Sequence, residues 1–414
     1  MSGAHTPTSP LRIRGASWLD TATGESQVCD LLIQDGVIQA DDGRRADTVD
    51  GSGLHAMFGL WDCHAHAGGL MYDPDATGYF EAAPDRTIRA GENFRQAVEM
   101  GVTGVRCVDE ADDLDLAWGR AYSAGTTLGP RVTGAGRGVR TTGGHGTAFP
   151  RVYTQMGAEL VVDGPDAMAR AVRRQVERGA QWIKIMLTGG LYSPFEAADE
   201  GQFTEAELST LMEVANQRHI PVAAHCGGTE PAISFSELGG RSIEHGYMLD
   251  EQAAEVMARN GTWLVATVGV THDQEYIQSQ GWPEHAANRS RELMPVHAAA
   301  LRACIEAGVQ IAVGADLNPI GPRFHRELEM LERAGMDRRS VLHAASVGGR
   351  SLNGFGDCST PDPGAVADLI LVEENPIEAL HTLKEPVLVI THGRVVVSPQ
   401  LRRSRTSDHC QPLK

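Results

Sequence analysis

The 414-residue sequence lacks any apolar run long enough to cross a membrane. A membrane-spanning helix needs about 20 consecutive apolar residues. The opening stretch, MSGAHTPTSPLRIRG, also lacks the apolar segment of a signal peptide. We therefore expect no membrane partner and a cytoplasmic location.

Closely spaced cysteines are absent as well. The seven cysteines are scattered along the chain, odd in number, and form no CxxC motif. A disulfide framework or a structural zinc ribbon needs cysteines in regular, paired spacings. The pattern argues against both and is typical of reduced thiols in a cytoplasmic protein.

Positive charge is scarce. The chain has 36 Lys and Arg against 54 Asp and Glu, which gives a formal net charge of −18 at pH 7. Such a surface repels phosphate groups, so it argues against nucleic acids and anionic membranes as partners. The charge balance says little else about the substrate, which we expect to be a small molecule.

Short strand-like segments occupy both ends of the chain. Asp35-Gly36 lies between two apolar runs, which is a hairpin signal, and His392-Gly393 has the same setting near the other end. We expect the ends to pair into one small β-sandwich domain built from residues 1–56 and 356–414. This pairing would enclose the middle of the chain.

The middle, residues 57–355, alternates apolar runs with amphipathic segments. Thr204 followed by Glu207 three residues later marks the start of one helix, as a capping box. Eight apolar runs predict strands: FGLWDCHAHAGG, GVTGVRCVD, PRVTGAG, QWIKIMLTGG, IPVAAHCGG, RSIEHGYM, GTWLVAT and VQIAVGADLNP. Eight strand–helix units in about 300 residues predict an α/β fold, a (β/α)8 TIM-like barrel. A doubly wound open sheet is the alternative, but its glycine fingerprint is missing after the first strand.

Two histidines stand at the end of the first of these runs. His64 and His66 are two residues apart, so on a strand both side chains point to the same face. Active sites of barrels lie where the strands end. A pair of this kind can bind one metal ion, although a turn histidine beside a core histidine is the ordinary explanation.

Four further runs contain one comparable group each. Lys184 lies inside an apolar run, where a charged amine is costly. The others end their runs: His225, His245 and Asp316. Singly, each has a structural explanation, such as an ion-paired lysine, a hydrogen-bonded core histidine or a helix N-cap. Six such groups on successive strand ends predict a metal site.

These motifs reach a known family. WDCHAH, WIKIMLTGG, VAAHCGG, SIEHG and VGAD together resemble the amidohydrolase superfamily, in the branch where a carboxylated lysine bridges two metals. Within it, the chain is similar to hydrolases related to imidazolonepropionase and to the Xaa-Pro, Xaa-Arg and Xaa-Lys dipeptidases. The resemblance implies a ligand for one or both metals at each of these positions: His64, His66 and Asp316 for the buried metal, His225 and His245 for the second, and carbamylated Lys184 for both.

The resemblance also implies the chemistry. Two divalent metals, zinc or else cobalt or manganese, would activate a hydroxide that hydrolyses an amide-like C–N bond, with Asp316 transferring the proton. N-acyl amino acids, dipeptides, aryl amides and carbamates are candidate substrates, and esters suit the same machinery. A non-hydrolytic metal-dependent step and a non-catalytic scaffold are the alternatives. A mononuclear deaminase is disfavoured, because Gly228 stands where those enzymes carry a glutamate.

Several further residues are candidates for substrate contact. His145, in RTTGGHGTAF, matches a loop histidine that lies near the substrate carbonyl in relatives, which implies a catalytic role. Arg137 and Arg140 are suited to bind a substrate carboxylate. Residues that follow strand-like runs complete the predicted pocket: Tyr192, Thr267, His272 and Asn318. Relatives commonly form multimers, so we expect a homo-oligomer.

Overall fold

The computed structural model describes residues 9–69, 81–147 and 160–398. The outer parts of the two predicted terminal segments, 1–8 and 399–414, therefore lie outside the described residues, as do the last residues of the RTTGGHGTAF motif. No helix in the described ranges is both long and apolar enough to span a bilayer.

The first five strands form part of one sheet, and the first of them is bulged. They are β1 (Leu11–Leu19), β2 (Ser26–Gln34), β3 (Val37–Gln39), β4 (Asp47–Asp50) and β5 (His55–Phe58). The register of β1 shifts between Ile13 and Ala16, and β1 pairs in parallel with β4 before the shift and with β5 after it. Asp35 and Gly36 join β2 to β3 with φ of 53° and 82°. Two successive positive φ values are those of a type I′ turn, so the predicted hairpin is confirmed.

Ten strands follow, and each of the eight predicted runs contains one. They are β6 (Leu60–Ala65), β7 (Val102–Cys107), β8 (Arg131–Gly134), β9 (Val139–Arg140), β10 (Leu160–Val161), β11 (Ile183–Met186), β12 (Val222–Cys226), β13 (Ser242–His245), β14 (Trp263–Val265) and β15 (Ile311–Ala312). They form two parallel sheets, β6-β7-β8 and β10-β9-β11-β12-β13-β14-β15. Most of these strands are buried along their length, as expected of parallel strands covered by helices.

Helices separate most of these strands. They are α1 (Ala83–Glu99), α2 (Leu114–Ser123), α3 (Pro165–Arg178), α4 (Glu205–Gln217), α5 (Thr229–Glu237), α6 (Glu251–Asn260), α7 (Gly269–His272), α8 (Gln274–Ser279), α9 (Glu284–Glu306), α10 (Ile320–Arg333), α11 (Arg338–His343) and α12 (Gly349–Leu352). The predicted capping box begins α4. The Thr204 hydroxyl accepts from the Glu207 amide, and the Glu207 carboxylate accepts from the Thr204 amide.

The two parallel sheets are hydrogen-bonded to each other at both ends. The amide of Cys63 in β6 donates to the carbonyl of Val313, just after β15, at 2.8 Å. On the other side, the amide of Gln181 donates to the carbonyl of Gly134 in β8, also at 2.8 Å. The first junction requires glycine at position 314, because a Cβ there would lie 2.5 Å from Cβ of His64. It brings the ends of β6 and β15 side by side.

The last three strands complete the sheet of the chain ends. They are β16 (Leu369–Val372), β17 (Leu388–Thr391) and β18 (Arg394–Val397). β16 pairs antiparallel with β5, which makes one mixed eight-stranded sheet, so the predicted pairing of the two ends is confirmed. His392 and Gly393 form the predicted second turn, with φ of 51° and 70°. A two-layered sandwich and the exact domain boundaries remain predictions.

Candidate metal centre

All the predicted ligands except Lys184 lie near or beyond the carboxyl ends of the parallel strands. His64 lies in β6 and His66 directly follows it, and their ring centroids are 5.4 Å apart. Both side chains are buried, with His66 8% and His64 1% exposed. The alternation of the strand therefore places both imidazoles in one buried space, as the spacing predicts.

Asp316 completes a cluster with these two histidines. Its Oδ1 lies 3.1 Å from Nε2 of His66 and 3.4 Å from Nε2 of His64. One ligand atom from each of the three residues lies within 4.8 Å of the others. Two imidazole nitrogens and a carboxylate oxygen form a donor set that suits a divalent metal ion.

The other two histidines adjoin this cluster. The ring centroid of His245 lies 4.9 Å from that of His64 and 4.4 Å from that of His225. Nδ1 of His245 lies 3.8 Å from Oδ2 of Asp316. The ring contacts thus join all four histidines into one cluster near the ends of β6, β12 and β13.

Each histidine uses one ring nitrogen in a hydrogen bond, and the other ring nitrogen of His64 and of His66 faces the Asp316 carboxylate. The bonds run from Nδ1 of His64 to the Glu244 carboxylate (2.8 Å), Nδ1 of His66 to the Asp109 carbonyl (3.0 Å), Nε2 of His225 to the Gly189 carbonyl (2.9 Å) and Nδ1 of His245 to the Thr267 hydroxyl (2.7 Å). Metal-ligating histidines show this arrangement, because the second bond fixes the tautomer and the ring orientation. The residues therefore fit a metal centre.

Burial favours the neutral form of three of the four histidines. It lowers the pKa of His64 to about 4 and the pKa of His225 and His245 well below their usual range, which favours neutral imidazole. Burial also opposes charge on His66, but the hydrogen bond and charge of Asp316 raise its pKa to about 9. Neutral imidazole is the form that binds a metal.

Lys184 lies in β11, level with Ala223 of β12, and is 2% exposed. Burial lowers the pKa of its amine, because the charged form loses its hydration. The negative charges of Glu244 and Asp316 act in the opposite direction. The charge of Lys184 acts on His64, His225 and His245, so the buried amine lies near the histidine cluster.

A buried ion pair contacts His64 and the residue before it. Nη2 of Arg106 lies 2.7 and 2.8 Å from the two carboxylate oxygens of Glu244, and both side chains are fully buried. Arg106 also donates to the carbonyl of Cys63, one residue before His64. The ion pair and the hydrogen bond to His64 lower the pKa of Glu244 to about 2 against the effect of burial. Glu244 is therefore ionised, and it is the carboxylate that binds His64.

Three non-glycine residues at the centre have left-handed backbone. His245, Thr267 and Asp316 have φ of 71°, 48° and 56°. Such conformations cost about 1–3 kcal/mol each and persist where the surrounding structure enforces them. Here they turn the chain sharply after β13, β14 and β15, at the positions where side chains meet.

His145 lies beside the histidine cluster. Its ring stacks on that of His225, with centroids 3.9 Å apart and an interplanar angle of 17°. Nδ1 of His145 donates to Oε1 of Glu196 at 2.6 Å. The charge of His145 and its hydrogen bond lower the pKa of Glu196, although burial acts the other way.

The two predicted arginines occupy different environments. Arg140 ends β9, is 1% exposed, and donates to the Thr147 hydroxyl at 2.9 Å. Arg137 is half-buried, and its charge acts on the carboxylate of Asp109. The carbonyl of Arg137 accepts from Gln175 at 2.7 Å. Carboxylate binding by either arginine remains a prediction.

The remaining pocket candidates differ in their contacts with the cluster. The side-chain amide of Asn318 donates to the backbone carbonyl of His66 at 3.0 Å. The ring of His272 lies 6.0 Å from that of His297, which is hydrogen-bonded to the carbonyl of His245. Tyr192 packs edge-on against Trp282, outside the histidine cluster.

Sequence reasoning missed the residues that hold the ligands in place. Glu244 was visible as a carboxylate inside an apolar run, but its partner Arg106 is 138 residues away in the chain. Glu196 carries no local signal, because it lies in an acidic loop, SPFEAADE. Tyr247, whose ring stacks on that of His245 at 5.0 Å, was also not predicted.

Comparisons with known proteins agree with this geometry. Ochratoxinase from Aspergillus niger is 31% identical over 356 residues, which cover 81% of this chain and 73% of that protein. Imidazolonepropionase from Rhizobium rhizogenes is 26% identical over 409 residues, covering 87% and 88% of the two chains. A Xaa-Pro dipeptidase crystal structure with bound methionine superposes with a TM-score of 0.84 at 27% identity, covering 94% of this chain and 99% of that one.

The match to a family extends over most of the chain. The amidohydrolase family profile covers residues 56–396, which include every strand from β6 to β17 and all the predicted ligands. The resemblance stated from the motifs is thereby confirmed. The chain belongs to the amidohydrolase family and is a metal-dependent hydrolase of carbon–nitrogen bonds.

Proposed function

We propose that the chain holds two divalent metal ions bridged by a carbamate on Lys184. The proposed ligands are His64, His66, Lys184, His225, His245 and Asp316. The support is the cluster of four histidines, each fixed by a hydrogen bond at one ring nitrogen, together with the Asp316 carboxylate 3.1 and 3.4 Å from the second nitrogens of His66 and His64. Zinc suits these donors, as do cobalt and manganese.

The centre would lie at the mouth of a closed (β/α)8 barrel. The hydrogen bonds at both junctions between the two parallel sheets support closure. The barrel would span residues 57–355, with a β-sandwich formed by 1–56 and 356–414. Ligands from β6, β11, β12 and β13 and from the loop after β15 would then converge, as in other barrels whose active sites lie at the strand ends.

The proposed reaction is hydrolysis of an amide-like bond. The metals would supply Lewis-acid polarisation of the scissile carbonyl and a water molecule of lowered pKa. Asp316, the carboxylate within reach of three histidines, would accept the proton of that water and deliver it to the leaving nitrogen. His145 would contact the substrate beside the scissile carbonyl. Arg137, Arg140, Tyr192, His272 and Asn318 would line the pocket.

The relatives suggest the substrate class. Ochratoxinase and Xaa-Pro dipeptidase are named for an amide and a dipeptide substrate, and both are similar to this chain over most of its length. We propose a small N-acyl amino acid or dipeptide as the substrate. The test is to assay the zinc-loaded protein against N-acyl amino acids, Xaa-Pro dipeptides, ochratoxin A, aryl amides and carbamates in ¹⁸O-labelled water. Label in the acid product is expected, and turnover without label would contradict hydrolysis.

The lysine carbamate has its own test. The Lys184→Ala variant should lose at least about 100-fold in kcat, because it removes the anionic bridge between the metals. Wild-type protein equilibrated with ¹³C-bicarbonate should show a carbamate carbon signal that the variant lacks. Lys384→Ala, which alters a partly exposed lysine paired with Glu329, is the matched control. If Lys184→Ala kept normal activity without any added short carboxylate, that result would contradict the proposed carbamate bridge.

A further inference from the structure

Glu196 lies in a loop that is folded back on itself beside the centre. The loop joins β11 to α4, and Thr188 and Gly201 form a β-bridge across its base. The Gly189 amide donates to the Glu200 carbonyl at 3.0 Å, which closes the base further. The tip that carries Glu196 is therefore held by paired backbone on both sides.

The carboxylate of Glu196 has three donors. His145 Nδ1 donates to Oε1 at 2.6 Å, the Gly190 amide donates to Oε1 at 3.1 Å, and Nε2 of Gln202 donates to Oε2 at 2.8 Å. The side chain is 4% exposed. Such a carboxylate has little freedom to move, so the position of its oxygen defines the position of Nδ1 of His145.

His145 is constrained on its other sides too. Its backbone amide donates to Oε1 of Gln202 at 2.8 Å, so Gln202 connects the backbone of His145 to Glu196. One face of the ring stacks on His225. Gly190 adjoins the ring edge, where a Cβ would lie 2.2 Å from Cε1 of His145. The ring has one orientation available.

The hydrogen bond also decides the tautomer. A carboxylate oxygen only accepts, so Nδ1 of His145 must carry a proton. The tautomer with a proton on Nε2 alone is excluded while this bond exists. Among the described residues Nε2 makes no hydrogen bond, so it is the ring atom that remains for a substrate.

We propose that Glu196 is a positioning residue that fixes the orientation and the tautomer of His145, so that Nε2 meets the substrate. This deepens the proposed function, since it depends on His145 contacting the substrate. A misplacement of such a contact by about 1 Å costs up to about 100-fold in rate. We therefore expect Glu196→Ala to lower kcat by about 10–100-fold, with a smaller change in KM and unchanged metal content.

A double-mutant cycle separates positioning from mere support of the loop. If Glu196 acts through His145, Glu196→Ala should cost nothing further in a His145→Ala background. Additive losses would overturn the proposal. Glu200→Gln is the matched control, because Glu200 lies in the same loop and is exposed, and its carboxylate accepts from the Ala197 amide at 3.3 Å.

A second measurement does not depend on turnover. In ¹⁵N-histidine-labelled, zinc-loaded protein, the His145 signal should show a protonated Nδ1, and Glu196→Ala should release this preference. Assignment comes from its loss in His145→Ala. A wild-type His145 ring protonated on Nε2 alone would overturn the proposal, even if the enzyme were fully active. If the wild type cleaves no substrate of the panel, the proposed function fails, while the NMR result still decides the role of Glu196.

Discussion

Glu244 connects a histidine of the cluster to a buried arginine. Its carboxylate binds Nδ1 of His64 and, at 2.7 and 2.8 Å, Nη2 of Arg106, and none of the three residues is more than 1% exposed. Arg106 also lies over the Trp182 ring at 4.5 Å, which fixes the guanidinium. The proposed ligand His64 is thus bonded to a carboxylate that Arg106 holds in place.

Changing Glu244 to Gln should weaken both metal binding and folding. The amide no longer neutralises Arg106, and an unpaired buried charge costs about 3–5 kcal/mol. Loss of a partner behind a ligating histidine lowers metal affinity about 10–100-fold. Zinc titration with a competing chelator and urea unfolding measure the two effects. Glu255→Gln, at an exposed position of α6, makes the same charge change and should alter neither.

At the scale of elements, the sequence predicts what depends on local pattern. Continuous apolar runs predicted eight of the ten strands from β6 to β15, and the spacing of His64 and His66 predicted their shared face, because strand periodicity fixes it. The sequence did not predict β9 and β10, which are two residues long. It could not predict Glu196 or the pairing of Arg106 with Glu244. These depend on loop conformation and on which strands become neighbours, and no local periodicity records either.

The two terminal hairpin turns meet each other, and this contact is testable. A Cβ at Gly393 would lie 2.7 Å from Cα of Gly36, and Gly393 has φ of 70°. Gly43 has a similar φ of 76° but open space around it. Gly43→Ala should therefore cost only the conformational strain, roughly 1–2 kcal/mol. Gly393→Ala should cost a further 1–3 kcal/mol or so from the clash, measured by urea unfolding. Equal losses would show that the turns do not constrain each other.

Over the whole molecule, one ion pair connects the mixed sheet to the parallel strands. Nε of Arg131, in β8, donates to the carboxylate of Asp368, just before β16, at 2.7 Å, and the same carboxylate accepts from the His392 amide. The proposed metal ligands make a second long-range connection. His64 belongs to the three-stranded sheet, whereas His225 and His245 belong to the seven-stranded one. Metal binding would therefore join strands that are far apart in sequence.

Metal should consequently stabilise the entire fold. A ligand that binds only the folded state adds RT ln(1 + [L]/Kd), about 4 kcal/mol at 1,000 times Kd. Removing the metal with a chelator should lower Tm, and adding zinc back should raise it progressively with concentration. The His64→Ala, His66→Ala double variant should lose most of this dependence, whereas Glu255→Gln should retain it. A metal site that spans both sheets must be lost when either sheet unfolds. If the protein is shown to bind zinc but its Tm does not change with zinc concentration, the proposed ligands do not hold the two sheets together.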